Sequence, residues 1–354
     1  MKKFLIAVFV VLLVVLTACS TGRVASDSYA DKYIDLHLHL DGAITVDIAK
    51  ELARIQGIEI PKDDEELKSL LTVPEDCTSL NDFLECFDFP QSLMQTEEGL
   101  TAAVRLVADN ILSQGVIYAE IRFAPQFHTG GDMTQEDAIK AALKGLEQTK
   151  LKANLILCMM RGDYTEEANR ETIELAKKYI VEDGGVVAVD LAGAEALFPT
   201  EDYRELFEEV KKAGIPFTIH AGEAAGAESV KAALEFGATR IGHGVRSYED
   251  PEVLATIKAN NVVLEMCPTS NRQTYAVPDM SQYPFMDYLN QGIRVTLNTD
   301  DMGIEGTTLA NEYRYMEKTF GLTAEQEKTL LRNSVYAAFT SQETKQWLIK
   351  ELGL

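Results

Sequence analysis

Short apolar runs rich in β-branched residues recur along the chain, and stretches of helical period separate them. The pattern predicts eight strands: 33–39, 116–123, 154–160, 186–191, 216–220, 240–243, 261–266 and 294–298. Between them it predicts amphipathic helices over 136–150, 165–179, 203–213, 227–236 and 251–259. Thr134 with Asp137 three residues on is a helix-start signal, and Gly115, Gly214, Gly237 and Gly292 mark returns from helix to strand. Strand and helix alternating eight times is the pattern of an α/β (β/α)8 barrel. Two stacked α/β sheets are the alternative. The first crossover, from Gly42 to Ser113, is far too long for one helix, so extra helices are expected after the first strand. Within it, 80–89 carries apolar residues at helical spacing; it reads as a lid over the barrel mouth, with Phe83, Phe87 and Phe89 as candidates for lining a pocket. Residues 323–352 read as closing helices.

The first residues follow another pattern. Lys2 and Lys3 precede an unbroken apolar run, Phe4 to Leu16, which leads into Leu16-Thr17-Ala18-Cys19. The run is short for a membrane span. It resembles a bacterial lipoprotein signal, in which residues 1–18 are removed and Cys19 is lipidated. An ordinary secretory signal or an anchor helix is the alternative. Residues 19–31 then read as a polar tether, and 32–354 as one catalytic domain held outside the cytoplasm at the bacterial cell envelope, touching membrane only through the lipid.

Composition narrows the partners. The chain of 354 residues is 46% hydrophobic and 25% charged, as a folded globular protein is. An α/β barrel takes about 250 residues plus insertions, so one domain suffices. The net charge of -23 argues against nucleic acid, whose phosphates require clustered Lys and Arg. Four cysteines lie beyond Cys19: Cys77, Cys86, Cys158 and Cys267. They contain no Cys-x-x-Cys pair to suggest a sulfur-ligated metal, and Cys158 and Cys267, in apolar runs, read as buried thiols.

The candidate chemistry sits at strand ends. Of five histidines, four fall in short segments that follow apolar runs: His37 and His39, then His220, then His243. Asp300 and Asp301 end the eighth run. Residues two apart on a strand point to one side, so His37 and His39 share a face. In a barrel, His37, His39, His220, His243 and Asp300 all converge on the mouth, which is where barrel enzymes keep their sites. Imidazole with carboxylate suits zinc. The fourth strand lacks the Lys or Glu that would bridge two metals, so one ion is expected. Glu223, three residues after His220, is placed to be a carboxyl kept protonated by its surroundings. His128, the leftover histidine, reads as a surface or supporting residue. The chain has no His-Glu-x-x-His helix, no Gly-x-Ser-x-Gly elbow, no phosphate-binding glycine loop and no Pro-Cys-x-x-Cys deaminase signature.

From about Tyr33 to the end, the chain resembles the adenosine deaminase family. The likeness rests on His37-Leu38-His39-Leu40-Asp41-Gly42-Ala43, 79–84, 118–125, Asp190-Leu191-Ala192-Gly193-Ala194-Glu195, His220-Ala221-Gly222-Glu223, Gly242-His243-Gly244, 268–271 and Asn298-Thr299-Asp300-Asp301. The resemblance implies a zinc barrel that converts adenosine, and 2'-deoxyadenosine, to inosine and ammonia. It implies His37, His39, His220 and Asp300 as ligands of one zinc. His243 would orient the water and take its proton, Glu223 would protonate purine N1, and Asp301 would meet N7. Gly193 N–H would meet N3, Asp41 the ribose 5'-hydroxyl, and His39 would also border the substrate. Relatives act on adenine or modified adenosines, which stay open as substrates; a nucleoside-binding lipoprotein is the alternative of another class. One departure concerns the Asp pair, which the family commonly follows with Pro. Here Met302-Gly303 follows, and a looser loop is expected.

Overall fold

The computed structural model describes residues 31–354, so the leader, Cys19 and nearly all of the tether lie outside the described residues. Eight parallel strands run in chain order: β1 (Tyr33–His39), β2 (Val116–Phe123), β3 (Lys152–Met160), β4 (Val186–Ala192), β5 (His220–Ala221), β6 (Arg240–His243), β7 (Val263–Met266) and β8 (Arg294–Leu297). They form two four-stranded halves, β1 to β4 and β5 to β8. Two seams join the halves into a barrel. Val189 pairs with Phe217 across one, and Leu38 pairs with Asp300 across the other. At the second seam His39 N–H donates to Asp300 O at 2.9 Å, and Asp300 N–H donates to His37 O at 2.8 Å. Paired seams exclude two stacked sheets.

The fifth expected strand is a correction. Only His220–Ala221 forms a regular ladder, while Phe217 makes one isolated bridge. Pro216 has no N–H to give, so Val189 N–H donates to Pro216 O and Thr218 N–H to Val189 O without a continuous ladder. The helix expected over 136–150 spans Gln135–Leu146, with the Thr134–Asp137 capping box formed. Gly214 and Gly237 end their helices in the left-handed region, at φ 70° and 94°. The closing segment is two helices, Ala324–Ala337 and Gln342–Leu352, preceded by Leu309–Phe320.

The long first crossover holds helices Val46–Gln56, Asp64–Leu71, Leu80–Leu84 and Asp88–Ser92 before the barrel helix Glu97–Ser113. Phe83, with Cys77 and Ile304, forms a small apolar cluster apart from the main core, beside Phe87 and Cys86. The insertion is thus anchored to the loop that follows β8. That loop is not loose. Met302–Glu305 is a buried helical turn, and a Cβ on Gly303 would lie 2.6 Å from Ile44 O. Close backbone packing fixes the turn, where a looser loop was expected. All four cysteines among the described residues are free, and Cys158 and Cys267 are buried as expected. Among the described residues no helix is long and apolar enough to cross a membrane.

Candidate active site

The strand ends deliver their side chains to one cavity of about 430 Å³. His39 ends β1, His220 begins β5, and His243 ends β6. Asp300 and Asp301 follow β8. Two of these residues hold a backbone that side chains disfavour: His243 at φ 59° and Asp300 at φ 70°. Such a conformation costs on the order of 1–3 kcal/mol and persists only where the surroundings impose it. For Asp300 the seam bonds to β1 do so.

Five donor groups crowd together. His39 Nε2 lies 3.1 Å from His220 Nε2. Asp300 Oδ1 lies 3.2 Å from His37 Nε2 and 3.4 Å from His39 Nε2. Ligand atoms of His37, His220, His243 and Asp300 lie within 4.8 Å of one another. Zinc bonds of about 2.0 Å put neighbouring ligands about 2.8–3.3 Å apart, so these spacings fit, and with four protein groups a water would make the fifth ligand. The hydrogen-bond inventory fits too. His37 Nδ1 sits 2.8 Å from Glu265 Oε2, which requires the ring hydrogen there. A neutral His37 then presents its Nε2 lone pair to Asp300 Oδ1, and that nitrogen has no hydrogen-bond partner. Two buried acceptors face to face are favourable only with a cation or a proton between them; against burial and Arg122, Asp300 and Glu265 push the ring up to about 8, so the pocket holds a positive charge at this point.

His243 differs from the other rings. Its Nδ1 lies 3.0 Å from Asn271 Nδ2, while Asn271 Oδ1 accepts from Tyr283 Oη–H at 3.0 Å. That places the ring hydrogen on Nε2, which lies 3.5 Å from Glu223 Oε2 and 3.6 Å from Asp300 Oδ2. A protonated Nε2 is a donor and not a ligand. Distance alone does not separate it from His37, His220 and Asp300, with which it clusters; the hydrogen-bond pattern at Nδ1 does.

Glu223 is buried and bonded to Thr274 Oγ1 at 3.0 Å. Burial, then the charges of Asp300 and Glu195, push its carboxyl up to about 8. It holds a proton at neutral pH. Asp301 is likewise pushed well above the usual carboxylate range by burial and by Asp300, Asp41 and Glu223. Its Oδ1 has no partner within the protein. Gly193 lines the cavity at φ 102°. Asp41 lines it from the first crossover and accepts from Gln91 Nε2 at 3.0 Å. Phe83 and Phe87 line the mouth, and Phe89 does not.

A sequence model of the family described as adenosine deaminase matches residues 33–353. The chain belongs to the adenosine deaminase family. It is 48% identical to an adenosine deaminase of Haemophilus ducreyi over 90% of this chain and 95% of that one. It is 38% identical to an adenosine deaminase of Enterococcus faecalis, with 90% and 95% covered. In structure it is similar to an adenine deaminase of Arthrobacter aurescens, with a TM-score of 0.82, 28% identity, and 92% and 98% covered. It is also similar to the N6-methyl-AMP deaminase of Arabidopsis thaliana, with a TM-score of 0.78, 26% identity, and 91% and 96% covered.

The structure brings together every family site residue expected from the sequence. Of the two roles read for His128, the surface one fails: the ring is fully buried beside Phe123, which leaves the supporting role. The structure also gives a place to residues to which sequence reasoning assigned no role. Glu265 backs His37, and Asp190 Oδ2 lies 2.9 Å from His220 Nδ1, though off the hydrogen-bond axis. Arg122, wholly buried, bridges the two carboxylates at 2.7 and 2.8 Å. Thr274, Asn271, Gln91 and Glu195 complete the set. A signal existed for Asp190, Arg122 and Glu265. Each is a charge inside an apolar strand, and a buried charge must have a partner.

Proposed function

We propose that this chain hydrolyses adenosine, and 2'-deoxyadenosine, to inosine and ammonia with one zinc ion. The observation that carries the reading is Glu223: a buried carboxyl that keeps its proton to about pH 8, on the wall of a purine-sized cavity beside the histidine–aspartate cluster. Likeness to adenosine deaminases at 48% identity supports the substrate. His37, His39, His220 and Asp300 would hold the zinc. A zinc held there would supply hydroxide at neutral pH, because a bound ion lowers the pKa of water to about 7.

The chain's own residues do the rest. Glu223 gives its proton to purine N1, which breaks the ring's aromaticity and leaves C6 open to attack; the proton of the hydroxyl added at C6 then passes to the 6-amino nitrogen, the C6–N bond breaks, and ammonia leaves as C6=O forms. Thr274 fixes the rotamer of that carboxyl. His243, with its hydrogen on Nε2, orients the attacking oxygen as a donor; the placement of Asn271 supports orientation and speaks against proton acceptance. Protonated Asp301 donates to N7 through its unpartnered carboxyl. Gly193 N–H meets N3, and a side chain there would crowd Met160 and Arg161. Asp41, held by Gln91, takes the 5'-hydroxyl, which favours a nucleoside over free adenine. His39 borders the substrate from the ligand side. Phe83 and Phe87 cover the purine and keep bulk water out.

The proposal extends to location. Residues 1–18 are a lipoprotein signal, Cys19 is lipidated, and residues 19–31 tether the deaminase at the bacterial envelope. Lys2-Lys3, the apolar run and Leu16-Thr17-Ala18-Cys19 support this. Fractionation of cells fed a labelled fatty acid tests it: label and activity in the membrane fraction, both lost with Cys19→Ser, is the expected result, and activity confined to cytosol overturns it. The catalytic reading is tested by following the ultraviolet spectrum of adenosine with zinc-loaded protein. Conversion to the inosine spectrum, abolished by chelation, is expected; no conversion overturns it.

A further inference from the structure

We propose that Glu195 is a positioning residue for this reaction, holding the loop that carries Glu223 in register with Gly193. The inference rests on the proposed deamination. Glu195 is buried and lies two residues beyond Gly193, on the loop after β4. Its carboxylate accepts from four consecutive backbone N–H groups after β5. Oε1 takes Gly222 N–H at 2.6 Å. Oε2 takes Glu223 at 3.0 Å, Ala224 at 2.7 Å and Ala225 at 3.0 Å. Ser229 Oγ–H adds a fifth bond, to Oε1. Successive N–H groups turned to one side form an anion-binding nest, and here the anion is a side chain from the neighbouring strand's loop.

The nest needs its glycine. Gly222 stands at φ 73°, and a Cβ there would lie 2.5 Å from Val230 Cγ2. The network continues outward. Ser229 Oγ lies 2.6 Å from Thr200 Oγ1, which accepts from Arg161 at 2.9 Å. Arg161 also donates to His220 O at 2.7 Å. One connected set of bonds thus fixes the backbone from His220 to Ala225, with a buried cation balancing the carboxylate.

The consequence is a two-point hold on one edge of the purine. Gly193 N–H meets N3 and Glu223 meets N1. These two groups come from different strands, and nothing in the chain order sets their spacing. Glu195 sets it, because the same short loop carries Gly193 and grips the backbone N–H of Glu223 itself. Gln cannot replace it. An amide has one acceptor oxygen, so its NH2 would face backbone donors whichever way it turned.

The test compares wild type with Glu195→Gln, Glu223→Gln and the double variant, with Ser229→Ala as a milder change that leaves the nest intact. In Glu195→Gln kcat for adenosine should fall by roughly 100-fold while KM stays within about threefold, since a displacement of about 1 Å costs that much. Zinc content should be unchanged. In the Glu223→Gln background the same substitution should cost nothing further, because both act through one proton donor. Ser229→Ala should fold and lose kcat severalfold with KM unchanged. Additive losses, or a kcat loss matched by zinc loss, or Ser229→Ala identical to wild type, overturn the proposal while leaving deamination standing. Wild type inert on adenosine overturns both.

Discussion

His37 Nδ1 and Glu265 Oε2 meet at 2.8 Å with both side chains sealed from solvent, and the same carboxylate oxygen accepts from Arg122 at 2.8 Å. Arg122 in turn holds Asp190, the carboxylate beside His220. One guanidinium therefore ties together the acids behind two metal-facing histidines. Such partners fix ring orientation and raise ligand basicity, and their loss typically costs 10–100-fold in metal affinity. Asp190→Asn should weaken zinc binding by roughly that factor, read by competition with a chelator. Unchanged zinc release would show that His220 is oriented by other contacts.

The acid itself gives a sharper expectation. Glu223→Gln keeps the shape of the side chain and removes the proton. General acid catalysis contributes about 10²–10⁴-fold, so kcat should fall by that much with zinc content unchanged. A loss below about tenfold would assign N1 protonation to another group.

The pH dependence has a definite sign. Glu223 must be protonated to act, and its carboxyl is pushed up to about 8. The kcat should fall on the alkaline side as this proton is lost, at or below about 8, since zinc on Asp300 offsets part of the charge that raises the carboxyl. Stability is linked to the same group. Its ordinary value is 4.5 and its folded value is about 8, so the folded protein binds this proton more tightly. The contribution is complete below about 4.5 and is lost as pH rises to about 8. Relative to wild type, Glu223→Gln should therefore gain melting temperature between pH 5 and pH 9, a trend differential scanning of metal-free protein would reveal. A flat difference would place the Glu223 carboxyl in solvent.

Much of this site was legible before any fold was known, for a physical reason. Site residues at strand ends sit just past apolar runs, so His37, His39, His220, His243 and Asp300 announced both their chemistry and their convergence. What stayed hidden were groups whose roles depend on partners far away in the chain. Glu265 sits between Leu264 and Met266 in β7, and only the barrel brings it to His37. Gln91 lies in an insertion with no strand to register it. The segment 216–219 misled because apolar composition alone cannot reveal that a proline breaks the ladder.

Gln91 offers a prediction about sugar recognition. It holds Asp41 Oδ2 at 3.0 Å. A net hydrogen bond is worth about 1 kcal/mol, roughly fivefold in affinity. Gln91→Leu should raise KM for adenosine by about that factor, leave kcat near wild type, and leave KM for 5'-deoxyadenosine unchanged. Asp41→Ala should follow the same pattern more strongly, with little change for adenine. Equal effects on both nucleosides would remove Asp41 and Gln91 from the 5'-hydroxyl.

Gly42 and Asp301 carry the most demanding expectation. The Asp301 carboxyl rests against the bare Cα of Gly42: a Cβ there would lie 1.8 Å from Oδ1 and 2.7 Å from Asp301 Cβ. No real contact is that close, so Gly42→Ala must push the carboxyl aside or shift the loop after β8. Asp301 has little room to yield, because its N–H is held by Glu305 Oε1 at 3.0 Å and its neighbour Asp300 is locked to β1. The oxygen moved is the one with no partner in the protein, the one proposed to donate to N7. Gly42→Ala should lower kcat/KM for adenosine by roughly 100-fold. Zinc content should be kept, since Asp300 is fixed by backbone bonds the methyl does not touch. 7-Deazaadenosine, which lacks N7, separates the two ways the variant could fail. If Asp301 acts at N7, the analogue is a poor substrate for wild type and Gly42→Ala makes it little worse. If the methyl merely blocks the cavity, both substrates lose equally.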